Sequence, residues 1–129
     1  MSEEYIDFVN SVTSDSTKQQ IDFIEALNIM EEQGAIPSRL LTTALGLNGE
    51  AAEFSELIKK CIFQGREYTD EVHAELKSEL SDIMWYIAQG CIALDTTIEE
   101  LMEINTHKLQ ERYPDGFDKN RSNKRYMNE

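Results

Sequence analysis

The sequence is poor in the residues that build disulfides, tight turns and imidazole metal sites. Its 129 residues include two cysteines, two prolines, six glycines and two histidines. Cys61 and Cys91 both fall inside apolar helical patterns, so we expect buried free thiols in a reducing compartment. His73 and His107 have no second imidazole or thiolate at ligand spacing. These shortages argue against a disulfide scaffold and against a structural zinc site.

Positive charge is also scarce. Lysine and arginine number 12 against 25 aspartate and glutamate residues, which gives a formal net charge of -13. A chain this acidic repels nucleic acid and anionic membranes, so we expect no stable binding to either. The acidity does not exclude a phosphorylated substrate, because bound divalent cations can reverse the sign of the charge at a site.

Long apolar runs are missing, and no segment is predicted to cross a membrane. The first residues, MSEEYIDF, lack the basic and apolar regions of a secretion signal. We therefore predict a cytoplasmic protein. The length fits one domain covering residues 1–129, and 40 % hydrophobic residues are enough for an ordinary interior.

The sequence does carry helical periodicity almost throughout, without the alternation typical of strands. Pro37 and Pro114 bound the central part, so we place the core at residues 37–113 and a polar tail at 114–129. The third and fourth helices, joined by about six residues, should form an antiparallel hairpin in an all-α helical bundle. The predicted helices cover residues 3–11, 16–32, 38–62, 69–94 and 97–112, the second with Ser16 as its N-cap.

Two pairs of acids lie on this hairpin: Glu50 with Glu53, and Glu79 with Asp82. A spacing of i, i+3 puts both members of a pair on one helix face. Both pairs border the apolar stripes of their helices, where an unpaired charge is costly. The stripes are formed by Leu47, Phe54, Ile58 and Cys61 on the third helix and by Val72, Leu76, Leu80, Ile83 and Ile87 on the fourth.

Carboxylates without imidazole are the ligands that Mg²⁺ and Mn²⁺ prefer. A single Glu-x-x-Glu pair on a helix is usually a solvated face, whereas two pairs on consecutive helices are less often accidental. The spacing by itself leaves a metal site and a solvated acidic face both open.

Four segments carry a resemblance to a known family. They are LGLNGEAAE (45–53), IKK (58–60), ELSDIMWY (79–86) and NTHKLQERYPDGF (105–117), and Ser122 with Arg125 continue the last of them. Together they resemble the MazG-like, all-α nucleoside triphosphate pyrophosphohydrolases over about residues 40–125. Ser81 stands where relatives often carry glycine, but it is not a ligand position.

The resemblance implies Mg²⁺, or Mn²⁺, held by Glu50, Glu53, Glu79 and Asp82. It implies cleavage of the α–β phosphoanhydride of a ribo- or deoxyribonucleoside triphosphate, which releases monophosphate and pyrophosphate in nucleotide-pool control or house-cleaning. Glu50 or Glu53 would take the proton of the attacking water. A homodimer or homotetramer is implied as well. The predicted substrate contacts are Lys60, Tyr86, Asn105, Lys108 and Arg112, the last three on one face of the fifth helix and facing a site across a subunit boundary.

Three other functions stay open at this stage. A phosphoribosyl-ATP pyrophosphohydrolase and a dimeric dUTPase have related helical folds, although the latter is usually longer. A non-catalytic helical interaction module would carry the same acids as a solvated face and would show no dependence on Mg²⁺.

Overall fold

The protein is all-helical, as predicted. The computed structural model describes residues 1–124, so Arg125 of the C-terminal motif lies outside the described residues. No helix in this range is both long enough and apolar enough to span a membrane. The described helices are α1 (Glu3–Ser11), α2 (Asp15–Lys18), α3 (Gln20–Glu32), α4 (Pro37–Phe63), α5 (Asp70–Ala93), α6 (Ile98–Arg112) and α7 (Lys119–Lys124).

Side-chain caps and a proline fix several helix starts. Thr69 Oγ1 accepts a hydrogen bond from Val72 N at 3.4 Å, and Thr97 Oγ1 accepts one from Glu100 N at 3.1 Å. These bonds satisfy backbone donors that the first turn of a helix leaves free. Pro37 is the first residue of α4, where its missing N–H costs nothing.

Two local differences from the prediction are found. The helix predicted over 16–32 is split at Gln19, which has extended backbone (φ -125°, ψ 122°), and the cap of the first piece is Ser14 rather than Ser16. Residues 15–18 contain no apolar side chain, so nothing holds them on the axis of α3. The short helix α7 lies in the predicted tail, and Asp118 Oδ1 caps it by accepting from Asn120 N at 2.8 Å.

The centre of the fold is the predicted antiparallel hairpin of α4 and α5. Residues 64–69 join the two helices. Arg39 Nη1 donates to Gln89 Oε1 at 3.0 Å near the start of α4, while Arg66 bonds Glu75 at the loop end. Gly46 faces the ring of Tyr86 so closely that a Cβ at this position would overlap it. The helices therefore touch through a side chain packed on bare backbone, which sets their register.

The buried interior of a single chain is small. Within the described residues the buried hydrophobic side chains are Leu57, Val72 and Cys91. Ile58 and Leu80, predicted to be in the buried stripes, are 38 % and 50 % exposed, because no helix among residues 1–124 covers that part of the hairpin. Cys61 is half-buried, and both cysteines are free thiols as expected.

The total accessible surface is correspondingly large, at 10610 Å². A compact monomer of this size exposes about 7,000 Å². The excess comes from helices that pack little against the hairpin. On α1, for example, Tyr5 and Phe8 are 53 % and 59 % exposed.

Candidate functional site

The antiparallel hairpin brings acids from both helices together. Glu50 and Glu53 lie one turn apart on α4, and Glu79 lies opposite them on α5. One carboxylate oxygen of each lies within 4.8 Å of the others. Glu50 and Glu79 are half-buried and Glu53 is exposed. We refer to these three residues as the acid trio.

Within the acid trio, the pKa of Glu79 is shifted by partial burial first and by its acidic neighbours second. Partial removal from water raises the pKa of Glu79 above its usual range, and the negative charge of Glu53 raises it further. A hydrogen bond with Glu50 and the charges of Glu50 and Asp82 act in the same direction. A carboxylate in such a place favours a proton or a cation as its neighbour.

Asp82, the predicted fourth ligand, lies one turn beyond Glu79 on α5. Its side chain is exposed and is not part of the acid trio, although its charge contributes to the raised pKa of Glu79. The assignment of Asp82 as a metal ligand stays a prediction.

The chemistry of the acid trio fits a hard divalent cation. All its donors are carboxylate oxygens, the type that Mg²⁺ and Mn²⁺ take, and no imidazole or thiolate belongs to it. His73 is engaged elsewhere, since its Nδ1 lies 2.7 Å from Tyr68 Oη in a hydrogen bond. The trio can therefore bind a metal ion.

A cleft of about 370 Å³ opens beside Glu53 and Glu79. Lys60 is the predicted substrate residue that lines it. Lys60 Nζ lies 3.8 Å from the Glu56 carboxylate, which Lys59 contacts at 2.6 Å. The hydrogen bond from Lys59 is the main cause of a lowered pKa of Glu56. The cleft is lined by Glu53, Glu56, Leu57, Lys60, Arg66, Glu75 and Glu79.

Three polar residues of this cleft, Glu56, Arg66 and Glu75, are absent from the sequence prediction. Arg66 Nη2 donates to both carboxylate oxygens of Glu75, at 2.9 and 3.1 Å. Arg66 lies in the loop after α4, where no periodic pattern indicates the direction of a side chain. The only available signal is Gly65 before it, which marks the end of the helix.

The other predicted substrate contacts lie outside the cleft. The half-buried Tyr86 packs on Gly46, and its ring meets Trp85 edge-on with centroids 4.9 Å apart. On α6, Asn105 and Lys108 are exposed and Arg112 is half-buried. In the described part of a single chain, none of these four residues lines the cleft beside the acid trio.

Comparison with known proteins identifies the family. The chain is 39 % identical over 70 residues to the gene 37 protein of Mycobacterium phage L5. This match covers 53 % of the chain and 60 % of the phage protein, whose name states no activity. No solved structure matches the chain significantly. A family model described as the MazG nucleotide pyrophosphohydrolase domain matches residues 39–117, which include the hairpin, the acid trio and α6. The chain therefore belongs to the MazG nucleotide pyrophosphohydrolase family.

Proposed function

We propose that this protein hydrolyses ribo- or deoxyribonucleoside triphosphates to monophosphate and pyrophosphate in the presence of Mg²⁺. The observation that carries the proposal is the acid trio beside a cleft that also contains Lys60. Membership of the family supports the class of reaction. The position of three clustered carboxylates next to a cleft that also contains the positive side chains of Lys60 and Arg66 supports this chain as an active member.

Glu50, Glu53, Glu79 and Asp82 would hold Mg²⁺, with Mn²⁺ as an alternative. When bound, the ion neutralises phosphate charge and lowers the pKa of a coordinated water. Lys60 would contact the phosphates from the side of the cleft. The half-buried Glu50 and Glu79 would be fixed by packing, so that the metal position is set by the hairpin.

A water attacking the α-phosphate must lose a proton to a carboxylate. Glu53 is exposed and lines the cleft, whereas Glu50 is half-buried and does not line it. Of the two candidates from the sequence, Glu53 is therefore better placed to accept the proton. Glu50 would then serve chiefly as a metal ligand.

The test is a product analysis on all canonical ribo- and deoxyribonucleoside triphosphates with Mg²⁺. Assays with dUTP and phosphoribosyl-ATP are included to distinguish this activity from those of a dUTPase and a phosphoribosyl-ATP pyrophosphohydrolase. Ion-exchange chromatography should find monophosphate and pyrophosphate in equal amounts. Diphosphate with orthophosphate would place the protein in another reaction class. No turnover on any substrate, together with no binding of millimolar Mg²⁺ in calorimetry, would favour the non-catalytic module.

We further propose that a second copy covers the exposed helices, giving a homodimer or homotetramer. The support is the surface excess of roughly 3,500 Å² per chain over a compact monomer, or about 7,000 Å² for two chains, which is more than enough for an obligate interface that buries about 2,000–5,000 Å² in total. In such an assembly, Asn105, Lys108 and Arg112 of one subunit would reach the phosphates bound by another.

A further inference from the structure

The loop between α4 and α5 holds Arg66 in a fixed place at one end of the cleft. Gly65 has φ 70°, the left-handed conformation that glycine adopts without strain. This turn lets Gln64 N and Arg66 N both donate to Lys60 O at 3.1 Å, which caps the end of α4. The backbone of Arg66 is thus tied to the helix that carries Lys60.

The side chain of Arg66 is positioned by α5. Nη2 makes both hydrogen bonds to the Glu75 carboxylate, so Glu75 does not engage the other nitrogens of the guanidinium. The two side chains are partly exposed, at 35 % and 45 %, and both line the cleft. An arginine held in this way by one carboxylate keeps its positive charge and still has N–H donors on Nε and Nη1 for a second anion.

The lining of the cleft is ordered along the hairpin. Glu53 and Glu79 lie at one end, Leu57 and Glu75 follow, and Lys60 and Arg66 lie toward the loop. From Glu53 to Lys60 is seven residues of helix, or about 10 Å. The carboxylates of the acid trio are therefore at one end of the cleft, and toward the other end lie two positive side chains, each paired with one carboxylate: Lys60 with Glu56 and Arg66 with Glu75.

We propose that Arg66 is a phosphate-binding residue that takes the pyrophosphate portion of the substrate, with Glu75 as its positioning residue. This inference rests on the proposed function. The triphosphate would lie along the hairpin, its reacting phosphate at the acid trio and its terminal phosphates toward the α4–α5 loop. The nucleoside would then extend from the acid trio away from the loop.

The test compares pyrophosphate binding in wild type, three variants and one control variant by isothermal titration calorimetry, with Mg²⁺ alone titrated separately. Arg66→Ala should weaken pyrophosphate binding about tenfold or more, the usual scale of a lost charge-assisted contact, and leave Mg²⁺ binding unchanged. Arg66→Lys should fall between, because it keeps the charge but loses the fixed directions of the guanidinium donors. Glu75→Gln keeps the arginine but loses the charge-assisted bonds that position it, so it should weaken pyrophosphate binding about threefold to tenfold, less than Arg66→Ala does.

Arg39→Ala is the matched control. It removes the same charge and one hydrogen bond to α5 at the other end of the hairpin, so it should not change pyrophosphate affinity. A merely structural Arg66–Glu75 pair predicts a different pattern. Arg66→Ala and Glu75→Gln would then lower the melting temperature alike, and both would bind pyrophosphate as wild type does.

The two proposals fail separately. If wild type releases pyrophosphate from triphosphates but Arg66→Ala has wild-type affinity for pyrophosphate, the role of Arg66 is wrong and the proposed function stands. If no triphosphate is hydrolysed, the proposed function is wrong, and the affinities still decide the role of Arg66. Wild type that does not bind pyrophosphate at millimolar concentration with Mg²⁺ would overturn the inference.

Discussion

At the scale of single residues, Glu79 is the carboxylate of the acid trio that its surroundings disfavour in the charged form. Its pKa is raised by partial burial and by the neighbouring carboxylates, so the folded chain binds a proton more readily than the unfolded chain does. In the absence of metal, the free energy of unfolding should therefore be lowest at pH values above the raised pKa of Glu79. It should increase as the pH falls from there toward the ordinary pKa of a glutamate.

Glu79→Gln removes the carboxylate charge that is expected to destabilise the metal-free protein. In EDTA near neutral pH, the variant should melt at a higher temperature than wild type, and the difference should shrink in acid, where Glu79 of wild type is protonated. Added Mg²⁺ should raise the melting temperature of wild type more than that of the variant. Calorimetric scans at several pH values check this, with Glu103→Gln on α6 as a control that removes an exposed charge outside the trio. A difference that does not depend on pH would contradict the interpretation.

Asp82 gives the second prediction at this scale. Asp82→Asn keeps the size of the side chain and removes the charge, so Mg²⁺ affinity should fall and turnover should decrease by about 100-fold or more if Asp82 is a ligand. Asp95→Asn is the matched control, because Asp95 is exposed and has φ 50°, a conformation that asparagine tolerates. A folded Asp82→Asn protein with wild-type turnover would remove Asp82 from the site.

The acids could be found from the sequence because helical spacing is regular. The separation of Glu50 and Glu53, and the hairpin predicted from a short connection, were enough to place these residues opposite Glu79. The ion pair of Arg66 with Glu75 could not be found in this way. It depends on the left-handed turn at Gly65, and one glycine after a helix does not indicate where the next side chain points.

At the scale of helices, the register of α4 on α5 depends on the contact between Gly46 and Tyr86. Gly46→Ala would place a methyl group inside the Tyr86 ring, so the helices must shift or the ring must move. We expect a loss of about 1–3 kcal/mol in the free energy of unfolding. Gly49→Ala, on the same helix with no atom near its added Cβ, should instead stabilise the protein by up to about 1 kcal/mol.

Chemical denaturation of both variants gives the measurement. Repeating Gly46→Ala in a Tyr86→Ala background shows whether the ring is the cause, since the cost should then largely disappear. Equal effects of alanine at positions 46 and 49 would mean that the ring contact does not set the register.

Helix boundaries followed the sequence closely where caps and prolines mark them. The helix predicted over 38–62 spans Pro37–Phe63, and the one predicted over 69–94 spans Asp70–Ala93. The break at Gln19 was missed because the residues before it are polar. Their composition is compatible with a continuous helix, but they have no apolar face that would show whether the helix continues. The exposure of Leu80 was missed for another reason. Periodicity shows which face of a helix is apolar, but not whether the same chain covers it.

At the scale of the whole molecule, the exposed apolar side chains predict association. Light scattering at micromolar concentration should report a homodimer or a homotetramer. Each chain carries a net charge of -13, so subunits repel one another, and moderate salt should strengthen the assembly by screening. A monomer at every concentration and ionic strength tested would contradict the proposed second copy.

The small interior of one chain, with Leu57, Val72 and Cys91 as its buried hydrophobic residues within the described part, links folding to concentration. If a second subunit buries the exposed apolar side chains, a separated chain has few buried contacts to hold its helices together. Folding and association then become one equilibrium. Dilution would then act as a denaturant. The thermal midpoint should rise steadily with protein concentration, and the proposed hydrolase activity should be lost in very dilute assays even while every side chain of the site is intact.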